Sequence, residues 1–113
     1  MPSRTASLPI RNAAPLFAAL GDDVRLALVA RLSRGVPLSI TQLSDKLPLT
    51  RQAVTKHLHV LESAGVVKGE KTGREQLWEL ETGSLEQAHH YLELISRQWA
   101  DALTRLKHLV ENK

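Results

Sequence analysis

Apolar residues recur along this chain at two different periods, and the switches between them mark out the elements. Residues 12–20, NAAPLFAAL, read as a short helix with Pro15 in its first turn, where a missing N–H costs nothing, and Gly21 as its end. Asp22 or Asp23 caps a second helix that runs to about Ser33, with Gly35 as its stop. Its apolar positions, Val24, Leu26, Ala27, Leu28, Val29 and Leu32, are expected in the core. Ser39 caps a third helix, ITQLSDKL, with Gln42 as the reciprocal partner of a capping box. Ile40, Leu43 and Leu47 should face inward, and Pro48 stops the helix. Leu49 and Thr50 complete a tight connection to a fourth helix. Thr50 is its N-cap, Ala53, Val54, Leu58 and Leu61 form its buried face, and Gly65 terminates it.

The pattern then shortens. VVKGEK and EQLWEL are strand candidates joined around Lys71-Thr72-Gly73-Arg74, with Val67, Trp78 and Leu80 available to pack on the helices. From Ser84 to about Val110 the helical period returns. Leu85, Leu92, Trp99 and Leu106 recur every seven residues, and Ala88, Ile95, Ala102 and Leu109 form a companion series. Tyr91, Leu94, Leu103 and Val110 widen this seam. A helix of that length spans roughly 40 Å, more than a body this small can cover. Part of the seam is therefore expected to meet a second copy. The plainer alternative is that it packs wholly on its own domain. The predicted fold is mainly α with a β-hairpin wing (α+β), in the order α-α-α-α-β-β-α.

Composition sharpens this picture. At 113 residues and 42% hydrophobic, the chain fits one domain, set at residues 12–113, behind a loose, largely polar arm at residues 1–11. The formal net charge is only +3, but residues 46–74 hold six Lys or Arg against Glu62 and Glu70. Residues 84–113 carry four charges of each sign, so positive charge is enriched where the fourth helix and the hairpin tip lie; the second strand is acidic at Glu75, Glu79 and Glu81, which confines any DNA contact of the hairpin to its tip. There is no cysteine, which excludes disulfides, thiolate switches and cysteine metal sites. No apolar run is long enough to span a bilayer, and no cleavable leader is visible. A cytoplasmic protein without a membrane partner is the expectation.

A short helix, a tight turn and a capped second helix form a helix-turn-helix, whose second helix enters the major groove and reads base edges from its N-terminal end. Thr50, Arg51, Gln52, Thr55, Lys56 and His59 meet that requirement. Arginine bonds two acceptors on guanine, glutamine pairs with adenine, threonine meets a thymine methyl or a phosphate, and lysine holds either a phosphate or a base. His57, beside a buried leucine, should instead pack on the helix flank with its nitrogen bonded locally. At the hairpin tip Lys71, Thr72 and Arg74 can follow the backbone or enter the minor groove. The blander readings are solvated first-turn residues and a wing that merely stabilises. One helix reads few base pairs, so a symmetric dimer on a near-palindromic duplex is expected.

The run LPLTRQAVTKHLHVLESAGVV (Leu47 to Val67) resembles the ArsR/SmtB family of winged-helix repressors, whose signature reads V-[ST]-x-H-L-x-x-L-x-x-A-G-[LV]-[VI]. FAALGDDVRLALVARL resembles the family's opening, with Arg25 at its arginine and Asp23 where a proline or similar residue usually stands. Gly73 to Glu75 resembles the wing turn. The resemblance implies a homodimer joined through the first and last helices, which adds Leu16 to the pairing residues Leu85, Ala88, Leu92, Ile95, Trp99, Ala102, Leu106 and Leu109. It also implies repression by occupying an operator, often the protein's own. Many members release DNA on binding metal, but this chain departs from both metal patterns. Ser39, Ile40 and Thr41 stand where a Cys-x-Cys run is expected, and His90 has Ala88 before it, Asp101 eleven residues on and Thr104 beyond. The chain thus resembles the subclass without metal ligands, and no cofactor is expected. His90 with Glu86, His89 with Glu93, and His108 with Glu111 leave one alternative: a repressor released by metal bound on the last helix.

A second alternative is a winged-helix module that binds protein through the same exposed helix. An enzyme is not expected: there is no glycine-rich phosphate loop, no cysteine nucleophile and no third group beside any serine and histidine. The inducer, if there is one, is not written in these residues.

Overall fold

The computed structural model describes residues 10–111, so residues 1–9 of the expected arm lie outside the described residues. Five helices and three short strands follow in the order α1 (Ile10–Leu20), α2 (Asp23–Leu32), β1 (Leu38–Ser39), α3 (Ile40–Ser44), α4 (Arg51–Ser63), β2 (Val67–Thr72), β3 (Glu75–Leu80) and α5 (Thr82–Glu111). The mainly helical fold with a small antiparallel wing is the predicted class, with one strand added.

Local chemistry explains most boundaries. Asp22 caps α2 by accepting from the Arg25 backbone N–H at 3.0 Å. Ser39 and Gln42 close the full capping box on α3: the Gln42 N–H donates to Ser39 Oγ and the Ser39 N–H to Gln42 Oε1. Thr50 Oγ1 accepts from the Ala53 N–H at 3.1 Å and starts α4. Gly65 ends α4 with φ +79°, and a side chain there would also press on Ser84 Oγ.

Several expectations need correction. α1 opens at Ile10, which places Pro15 inside the helix rather than in its first turn. The ring therefore removes a ladder bond to the carbonyl of Arg11. α3 stops at Ser44, well short of Pro48. Ser44 Oγ donates to the Ile40 carbonyl at 2.8 Å, and a residue preceding proline avoids helical backbone, so the expected last turn does not form. Leu26 of α2 is half exposed rather than core, because the buried stripe follows Leu28 and Leu32 alone. α5 begins at Thr82, two residues early.

The sheet order is β1-β3-β2, with β3 in the centre. β1 pairs Leu38 with Trp78 and Ser39 with Leu77. β2 and β3 pair from Val67–Leu80 down to Thr72–Glu75, leaving Gly73 and Arg74 as a two-residue turn. Gly73 has φ +64° and Arg74 does not have positive φ, the signature of a type II′ hairpin turn. Among the described residues, Leu16, Ala19, Leu28, Leu32, Leu43, Val54, Leu58, Leu61, Val66, Val67, Trp78 and Ala88 form the core. It joins α1, α2 and α4 to the inner face of the sheet and the first turns of α5.

Candidate nucleic-acid interface

α3, the connection 45–50 and α4 form the helix-turn-helix. Val54, Leu58 and Leu61 hold α4 on the core by one face, each without exposed area. That fixes the opposite face toward solvent, where Thr50, Arg51, Gln52 and Lys56 are exposed. With Ala53 and Thr55 they line a shallow concavity of ≈ 520 Å³ at the N-terminal end of the helix. Free backbone N–H groups of the first turn add partial positive charge there.

Two of the predicted contacts change character. Thr55 is half-buried, and its hydroxyl donates to the Arg51 carbonyl at 2.8 Å. Its proton is committed to the helix, so Thr55 offers a methyl group and a lone pair rather than a donor. His59 is exposed but stands apart from this cluster. Its Nδ1 lies 3.3 Å from Glu62 Oε1, and its ring meets Trp78 edge-on at 5.8 Å between centroids. It occupies the junction of α4 with the wing. Lys71, Thr72 and Arg74 are all exposed at or beside the hairpin tip, as predicted, and β2 rests against α4.

Behind α4 lies a polar link that the sequence did not disclose. His57 is not bonded locally. Its Nδ1 faces Arg25 Nη1 at 3.3 Å and Asp22 Oδ2 at 3.8 Å, both at the start of α2. Arg25 Nε donates to the Ala19 carbonyl on α1. The Arg25 backbone N–H, with the Arg25 charge adding to it, holds the Asp22 carboxyl below the ordinary carboxylate range. The advance signs were Arg25 and His57, each at its place in the resemblance.

The pairing seam divides in two. Leu16 and Ala88, both expected at a dimer contact, are sealed in the chain's own core, because α1 packs on the first turns of α5. Leu85 packs against that core as well, and Ile95 and Ala102 are half-buried. Leu92, Trp99, Leu106 and Leu109 stand out in solvent with Leu103 and Val110; Trp99 is 64% exposed and Leu109 70%. On the same helix His90 Nδ1 lies 3.8 Å from Glu93 Oε1, not beside Glu86. Among the described residues no three His, Asp or Glu side chains gather as a metal would require. No helix among them is long and apolar enough to cross a membrane.

Comparison with known proteins points the same way. Residues 20–70 match a helix-turn-helix domain family. The chain is 35% identical to the HTH-type transcriptional regulator Rv2034 of Mycobacterium tuberculosis over 84% of its own length and 85% of that protein's. It is 37% identical to the HTH-type transcriptional repressor SmtB of the same species, over 80% of this chain and 65% of that one. An ArsR-like transcriptional regulator from Rhodococcus sp. RHA1 superposes with a TM-score of 0.76 at 33% identity, covering 88% of this chain and 93% of that chain. With its capped helix-turn-helix, its wing and these relatives, the chain belongs to the ArsR/SmtB family of helix-turn-helix transcriptional regulators, which are not enzymes.

Proposed function

We propose that this regulator is a cytoplasmic repressor that binds duplex DNA by sequence, as a homodimer on a near-palindromic operator, and acts by blocking polymerase. The observation that carries the reading is the outward presentation of Arg51, Gln52 and Lys56 on a helix clamped to the core by its other face. Arg51 and Gln52 are the base readers, suited to guanine and adenine in the major groove. Lys56 and the Thr50 hydroxyl hold phosphates, Thr55 presents its methyl to thymine, and Lys71, Thr72 and Arg74 grip the backbone or minor groove beside the half-site. His59 fixes the wing to the helix and reaches the duplex only at the edge of the footprint.

The exposed apolar face of α5 is the dimer contact, with Leu92, Trp99, Leu106 and Leu109 at its centre. Two reading helices then address half-sites about one helical turn apart, or a multiple of it. Occlusion is supported by the relative named as a repressor.

Selection of duplexes from a random library, followed by anisotropy, tests the reading. Wild type is expected to enrich a twofold-symmetric element. Arg51→Ala with Gln52→Ala should lose about 100-fold or more in affinity for it, since each good bidentate contact is worth about 1–3 kcal/mol, while the protein stays dimeric. Unchanged specific binding by that double variant would overturn the assignment and favour a protein-binding role for the helix.

A further inference from the structure

We infer that Arg25 is a positioning residue for the DNA-reading helix, acting through His57; the inference rests on the DNA-binding role proposed above. The side chain of Arg25 spans three helices. Its Nε donates to the Ala19 carbonyl near the end of α1, its Nη1 meets His57 Nδ1 in the middle of α4, and its own backbone N–H is held by Asp22 at the start of α2. The contact to His57 joins residues 32 apart in sequence, so no local rule of helix formation accounts for it.

The chemistry of the contact is specific. Guanidinium can only donate, so this bond requires His57 Nδ1 to accept and the ring proton to sit on Nε2. Apolar packing of Leu58 and Leu61 fixes how deep α4 lies, but apolar contacts are non-directional and leave rotation and sliding along the axis weakly specified. A planar fork bonded to two elements at once supplies that direction. His57 stands one residue beyond Lys56 and two beyond Thr55, so a small rotation of α4 at His57 carries the whole reading face with it. The described residues of α1 from Ala13 to Leu20 bear no charge, and Asp22 and Arg25 are the charged groups of α2 in contact with the ring. α1 also packs on α5, so the arginine lies on the physical route between the pairing helix and the reading helix.

The test uses the full chain and the duplex that wild type selects from a random library, with a scrambled duplex of equal length as the non-specific probe. Arg25→Lys keeps the charge but lacks the fork, and His57→Phe keeps bulk but lacks the acceptor. Each should lower the ratio of specific to non-specific affinity about tenfold, the order expected for a hydrogen bond to a charged group. Arg25→Lys combined with His57→Phe should be no worse than either alone. His57→Gln, whose amide oxygen can accept from Arg25, should recover most of the ratio. Nitrogen-15 NMR of the imidazole should find the Nε2–H tautomer in wild type and lose that preference in Arg25→Lys.

A merely structural role would lower both affinities together with the folded fraction and leave the ratio unmoved, which would overturn the inference. Additive losses in the double variant would overturn it too, as would an Nδ1–H tautomer in wild type. If Arg25→Lys does not fold, His57→Phe and its glutamine rescue decide alone. A wild type that enriches no duplex refutes the DNA-binding reading itself, whereas enrichment with an unmoved ratio refutes only the role of Arg25.

Discussion

Gly69 is the direct cross-strand neighbour of Trp78, the largest fully buried side chain. A Cβ built at Gly69 would lie 3.0 and 3.1 Å from two carbons of the indole ring and 2.5 Å from Gln76 Nε2. The glutamine amide can swing aside. The indole cannot, since it is 1% exposed and pinned between the sheet and the helices. Among the described residues its buried Nε1 has no hydrogen-bond partner, so the ring sits there for its volume rather than its polarity. Gly69→Ala is therefore expected to destabilise the fold by about 1–3 kcal/mol through overpacking. The check is a lower urea midpoint with an unchanged slope. Asp22 supports a pH prediction. Its carboxyl is held below its ordinary value of 3.8 in the folded chain, so its contribution is present above that value and lost as pH falls through the folded one. Asp22→Asn keeps a capping side chain but removes the charge. Wild type should melt higher than Asp22→Asn at pH 6, and the gap should close as both are titrated below about pH 4.

Elements whose ends are decided by neighbours in sequence were legible beforehand. The caps Ser39 with Gln42 and Thr50, the stop Gly65 and the turn glycine Gly73 all depend on residues within a few positions and stand where the spacing put them, and of the two candidates Asp22 and Asp23 the first caps α2. What escaped depends on distant partners. β1 is only two residues long and exists because Leu38 finds Trp78. The burial of Leu16, the exposure of Leu26 and the reach of Arg25 to His57 are likewise set by tertiary packing that no period in the sequence encodes. The exposed face of α4 was legible because its burial follows one stripe; the hydrogen bond that ties up Thr55 was not. The hairpin carries its own prediction. Lys71 and Arg74 are exposed where the wing would meet a phosphate backbone. Each phosphate contact displaces condensed counterions, so Lys71→Ala with Arg74→Ala should flatten the plot of log affinity against log salt by about 2. The base preference of the selected element should stay as it was, because phosphate contacts carry no sequence information.

At the scale of the whole molecule, α5 is out of proportion to its support. Thirty residues make a rod of roughly 45 Å, and the molecule measures 68 × 38 × 23 Å. Its radius of gyration is 18.6 Å, against about 13 Å for a compact chain of this length. Among the described residues the first turns of α5 rest on the core, while Trp99, Leu103, Leu106, Leu109 and Val110 stand exposed on one projecting helix. An apolar surface of that extent is normally an interface. These side chains contribute nothing to the chain's own core, so charging them should spare the fold. Trp99→Glu with Leu106→Glu is expected to keep the wild-type circular dichroism spectrum and melting cooperativity but sediment as a monomer. A monomer engages half-sites one at a time and loses the gain of linked binding, so affinity for the full element should fall about 10²- to 10⁴-fold. Affinity for an isolated half-site should not change. A variant that sediments like wild type, or a wild type that is itself monomeric at the concentrations where it binds DNA, would show that the projecting helix is covered by something other than a second copy of this chain.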